Sequence, residues 1–101
     1  KGSFDRILLV HMYHEVTSPY AFLWHLRDGL KPDGEVVVID ADREVKHHGI
    51  PPARLACELA AVGLEPTLHA SLAGGEAYLT AFRIARPRPA PSMIKPCAMK
   101  D

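Results

Sequence analysis

The sequence predicts an α/β fold, with parallel strands first and an antiparallel hairpin last. Three observations carry this reading. Two continuous apolar runs, Ile7–Val10 and Val36–Ile39, have the pattern of strands buried on both faces. Between them lie apolar residues at helical spacing, so the two strands are expected as a parallel pair with a right-handed crossover. Near the end, two further strand-like segments flank Gly74-Gly75, close enough for an antiparallel hairpin at one edge of the sheet.

Taken in order, Phe4–Val10 (FDRILLV) is the first strand. Thr17-Ser18-Pro19 opens a helix, with a hydroxyl cap ahead of a proline at the first helical position. Phe22, Leu23, Leu26 and Leu30 would face the core. Lys31-Pro32-Asp33-Gly34 stops that helix and turns the chain. Glu35–Asp40 (EVVVID) is the second strand, and Ala41–Gly49 is a polar loop. Pro51-Pro52 starts a second helix with Leu55, Ala56, Leu59, Ala60 and Val62 as its stripe and Gly63 as terminator. Glu65–Leu72 is the third strand, with Pro66 near its start. Ala77–Ile84 is the fourth. Residues 86–101 carry four prolines and no periodicity, and are expected as an extended or disordered tail.

Composition bounds the function. The chain has 101 residues, the size of one small domain, with 12 basic and 12 acidic residues and a formal net charge of zero. A nucleic-acid backbone binder would show a basic excess, so no nucleic-acid partner is expected. The apolar runs are too short to span a bilayer, no signal segment opens the chain, and a cytoplasmic protein without a membrane partner is expected. Cys57 and Cys97 are read as free thiols of a reducing compartment.

Ligands of open α/β sheets bind outside the carboxyl ends of the parallel strands. That rule selects His11-Met12-Tyr13-His14-Glu15 and Asp40–Gly49. Of the six histidines, His11, His14, His47 and His48 fall in these two segments, together with carboxylates. Titratable side chains gathered at one end of a sheet have the character of an active-site mouth.

The run from Phe4 to Asp42 resembles the second half of a class I S-adenosylmethionine-dependent methyltransferase. The resemblance rests on Phe4-Asp5 opening a strand, on a short His/aromatic segment after it and on a Leu-rich helix. It continues with Leu30-Lys31-Pro32-Asp33-Gly34, where Asp33 replaces the usual glycine, and with an apolar strand ending in an acid. Leu59-Ala60-Ala61-Val62-Gly63-Leu64 is similar to the helix end that precedes the family's last two strands. Residues 1–85 are therefore read as the carboxyl half of such a domain, a partial Rossmann-like methyltransferase sheet, and residues 86–101 as the tail. The resemblance implies the fourth to seventh strands of a seven-stranded sheet. It assigns the Gly-rich cofactor loop and the ribose-binding acid to the other half, and no GxGxG occurs in this chain. In this half the first strand becomes an edge, which invites pairing, so poor stability or an oligomer through that edge is expected.

The resemblance implies S-adenosylmethionine as cofactor and a small-molecule methyl acceptor as partner. His11 and Met12 match positions beside the methionine part of the cofactor; otherwise they simply turn the chain out of the sheet. His14 is a candidate base, since histidine works near neutral pH, or else a packed histidine below the mouth. Asp42 is a candidate catalytic residue that orients a nucleophile or binds a cation, or else an Asx-turn residue. Tyr13, Asp40, His47 and His48 are assigned to the substrate side, with solvated loop histidines as the plainer reading of the last two. No metal site is expected, because the His and carboxylate spacings match no metal motif. For Glu15, capping the next turn and contacting a partner both stay open, and Trp24, His25 and His69 are read as structural. Two other functions stay open: a nicotinamide-dependent oxidoreductase fragment, and a non-catalytic truncated binding module.

Overall fold

Phe4–Val10 forms β1 and pairs in parallel with β2, Leu30–Ala41, with Leu9 opposite Val38 and Val10 opposite Ile39. The structure is a computed structural model and describes residues 2–97. Helix α1, Pro19–Gly29, joins the two strands. Helix α2, Pro52–Ala60, leads into the antiparallel pair β3, Leu64–Ser71, and β4, Ala77–Ile84. The sheet order is β1-β2-β4-β3. This is the mixed α/β sheet expected, with its antiparallel hairpin at one edge.

Strand alternation sends one row of side chains to the helices. Leu9, Val36, Val38, Tyr78 and Phe82 pack with Leu23 of α1 and with Leu55 and Leu59 of α2 in one core. The opposite row is open at its two ends, while Val37 and Ala81 in its middle are buried. Leu8 is 60% exposed, and Phe4, Val10 and Leu68 are exposed as well. β1 is the edge strand expected of this half of the domain, and its apolar run is not buried on both faces: of its seven residues only Leu9 is buried.

Other corrections are local. β2 begins at Leu30, five residues before the expected start, because Leu30 is buried in the core and pairs with Phe4. The turn-like Lys31-Pro32-Asp33-Gly34 is carried as an irregularity in that register. Ser18 makes no side-chain capping bond; Pro19 alone marks the start of α1. Gly63 ends the α2 region with φ +87°, and a Cβ there would collide with the carbonyl oxygen of Arg86. The amides of Ala85 and Arg86 both donate to the Gly63 carbonyl, so the tail leaves β4 at this point.

The tail then runs back along α1. The Trp24 indole donates to the Pro89 carbonyl at 2.7 Å, and the Arg88 guanidinium lies 3.4 Å above the centre of the Trp24 ring. The Cys97 amide donates to the Tyr20 hydroxyl at 2.7 Å. This path brings Cys97 to α2, where it forms a disulfide with Cys57. The free-thiol expectation is corrected: a proline-rich segment without periodicity gave no sign of returning to the helices. Residues 98–101 of the expected tail lie outside the described residues.

Candidate active site

The carboxyl ends of β1 and β2 lie side by side, and the site is built on them. After Val10 the chain turns at His11, whose φ of +52° is uncommon for a residue other than glycine. The His11 amide donates to the Ile39 carbonyl at 2.8 Å, which ties this turn to β2. A single 3-10 turn, Tyr13–Glu15, follows. It sends Tyr13 and His14 in different directions.

Tyr13 points into the core and is 2% exposed. Its hydroxyl donates to Glu58 at 2.6 Å, and the Arg54 guanidinium holds the same carboxylate at 3.0 Å. Burial, and then the hydrogen bond to Glu58, push the phenol pKa far above its ordinary value. Tyr13 therefore stands under the site as support and is not brought to its surface. Glu58 escaped the sequence reading because it sits within the apolar stripe of α2. Arg54 four residues earlier was the available signal.

His14 turns toward the end of β2. Its Nδ1 is 2.9 Å from Asp40 Oδ1, and its backbone amide donates to Asp40 Oδ2 at 3.3 Å. Asp40 is fully buried and also accepts the Ala41 amide at 2.8 Å. A carboxylate only accepts, so Nδ1 carries the proton and the lone pair of the neutral ring is on Nε2. The His14 side chain is 7% exposed, and Nε2 lies 3.6 Å from the exposed Glu15 carboxylate. An open cleft of about 670 Å³ runs from Glu15 along the start of α1, past Ser18, Phe22 and His25.

The loop after β2 brings a second histidine to His14. Its second 3-10 turn, Val45–His47, ends at His48 in a left-handed conformation, φ +66°. The His48 ring meets that of His14 edge-on, with centres 6.2 Å apart. Gly49 keeps this loop tight, since a Cβ there would strike the Ala41 carbonyl and Arg43. His47 faces Glu44 at 3.4 Å, on the solvent side. Asp42 is not brought to His14. Its amide donates to the Glu76 carbonyl, and it lines a separate cleft of about 190 Å³ with His69, Ser71 and Tyr78. The strand-end carboxylate that reaches His14 is Asp40, at Nδ1. The strand ends at Ala41, and the chain bends away before Asp42.

Of the sequence-selected residues, His14, Asp40 and His48 come together, and His11 and Met12 form the adjoining exposed turn. A ring nitrogen held by a buried carboxylate, facing Glu15 at the end of the open cleft, can accept a proton from a bound hydroxyl or amine.

The comparisons with solved structures bear on the fold. Mitomycin 7-O-methyltransferase MmcR superposes with a TM-score of 0.67 at 20% identity, over 80% of this chain and 30% of its own. A SAM dependent methyltransferase from Aquifex aeolicus gives 0.68 at 22% identity, over 83% and 47%. The 1,6-didemethyltoxoflavin-N1-methyltransferase of Burkholderia thailandensis gives 0.70 at 16% identity, over 85% and 46%, and was crystallised with bound 1,6-didemethyltoxoflavin and S-adenosylhomocysteine. The fold is that of a class I methyltransferase, in part. The chain spans between 30% and 47% of the length of these three proteins. No family model matches it, and no curated protein does. No helix among the described residues is long and apolar enough to cross a membrane.

Proposed function

We propose that this chain forms the acceptor side of an S-adenosylmethionine-dependent methyltransferase acting on a small molecule. The observation that carries the reading is the His14–Asp40 pair, at the carboxyl ends of the parallel strands of a methyltransferase fold. S-adenosylmethionine, when bound, supplies a methyl group already activated by its sulfonium, so the protein needs no nucleophile. The described residues fit one side of such a cofactor. The exposed His11–Met12 turn would flank its methionine part, with Met12 giving an apolar contact.

The chain's own part is positioning and proton transfer. The cleft beside α1 receives the acceptor. His14 Nε2 takes the proton of its hydroxyl or amine as the methyl is transferred. Asp40 holds Nδ1–H, fixes the tautomer, and offsets the positive charge that develops on the ring. His48 stands edge-on to the His14 ring. The nicotinamide alternative has no support from the neighbours described above, all three of which are methyltransferases.

The test is calorimetry with S-adenosylmethionine on the full-length protein, followed by S-adenosylhomocysteine release over a panel of small hydroxyl and amine acceptors. Binding together with acceptor-dependent release is the expected result. Absence of any binding heat or thermal stabilisation would sink the reading.

A further inference from the structure

We propose that His14, Glu15 and His48 form a binding site for a divalent transition metal ion, with Asp40 holding it from behind. The ligand atoms of the three side chains lie within 4.8 Å of one another, and His14 Nε2 is 3.6 Å from Glu15 Oε2. Zinc bonds of about 2.0–2.2 Å in a tetrahedral shell place donors roughly 3.4 Å apart. One pair already has that spacing, and a movement of about 1 Å completes the rest. The side chains that have to move are the free ones, since Glu15 and His48 are exposed while His14 is fixed.

A second observation is independent of that cluster. Metal-bound histidines almost always donate their other ring N–H to a carboxylate, which fixes the tautomer and strengthens the ligand. His14 has this arrangement already: Nδ1 is held by the fully buried Asp40, and Nε2 faces Glu15 and the His48 ring. Two imidazoles and one carboxylate suit zinc or iron(II) and leave positions for water or an anionic oxygen. Magnesium and calcium prefer all-oxygen shells and do not match. The spacing along the sequence concealed the set, because the loop after β2 carries His48 back to the end of β1.

One nitrogen cannot serve two roles. A metal on His14 Nε2 removes the base proposed above, so zinc is also expected to inhibit methyl transfer. Metal binding itself is read without activity. Tag-free, metal-free protein, kept oxidised so that Cys57 and Cys97 stay paired, is titrated with cobalt(II) and then with zinc. One equivalent of cobalt should give visible absorption bands, which one equivalent of zinc abolishes. His48→Ala and Glu15→Gln change exposed side chains, and each should weaken zinc at least about tenfold. Asp40→Asn should weaken it by about 10–100-fold. His47→Ala is the control and should leave the affinity unchanged. The absence of a stoichiometric cobalt spectrum, or a spectrum and affinity unchanged in His48→Ala with its fold intact, overturns the site. If zinc binds at these residues but leaves methyl transfer unaffected, the metal site stands and the role of His14 as base fails.

Discussion

His14 and Asp40 divide one task between them. Asp40 is buried and takes two backbone amides as well as the imidazole, so its geometry is set by the fold and not by the ligand. Replacing His14 by Asn should lower kcat by about 10²-fold or more, the usual contribution of a general base, with a smaller change in KM. Asp40→Asn should lower kcat and also alter the pH profile, because an amide no longer dictates the tautomer; a purely structural loss would leave the profile's shape unchanged. Tyr13 and Tyr78 make a different prediction. Burial is the first cause that raises both phenol pKa values, aided by Glu58 for Tyr13 and by Asp40 and Asp42 for Tyr78. The folded state keeps these protons, while the unfolded chain loses them above about pH 10. This contribution is whole below that pH and is lost as pH rises, by about 1.4 kcal/mol per pH unit for each tyrosine. Denaturant melts of the wild type should show the decline. Tyr13→Phe should be less stable at neutral pH, with Glu58 missing a partner, and show a shallower slope above pH 10. At this scale the sequence located His14 and Asp40 through the strand-end rule. It could not pair them, because the parallel register and the turn after β1, not spacing, bring His14 to Asp40.

At the scale of elements, β4 was read with its observed limits and β1 likewise, because turn residues or glycines bound both segments closely. The start of β2 was hidden behind turn residues that the strand absorbs as an irregularity. The tail was hidden more completely, since its order comes from contacts and not from any periodicity of its own. Trp24, Tyr20 and Cys57 hold it, all on helices far earlier in the chain. Closing a loop of 40 residues with the Cys57–Cys97 bond limits the unfolded chain, and loop entropy sets the effect at about 4 kcal/mol. Cys57→Ser with Cys97→Ser should lower the thermal midpoint accordingly and expose residues after Ala85 to proteases. Gly63→Ala tests the other anchor. A positive φ and a collision with the Arg86 carbonyl should together cost more than about 1 kcal/mol, measured as a shift in denaturation midpoint at unchanged m.

The whole molecule has one covered face and one face that is open along its edge strands. Helices α1 and α2 bury the row from Leu9 to Phe82, while Leu8, Val10 and Leu68 remain exposed on the other side. β1 lies at the edge of the sheet, where among the described residues no strand faces its outer N–H and C=O groups. The solved methyltransferases extend well beyond the part this chain matches, so the same sheet is a portion of a larger structure in those proteins. Apolar surface and a free strand edge together favour association. Residues 1–101 alone should therefore run as an oligomer in size-exclusion chromatography with light scattering, and their apparent thermal midpoint should rise with concentration. Leu8→Lys places a charge on the open face without touching the core, because Leu8 is 60% exposed. It should shift the population toward monomer and leave the Leu9 row packed. A wild-type chain that melts cooperatively as a monomer at every concentration would show that the open face and the β1 edge are stable in water by themselves.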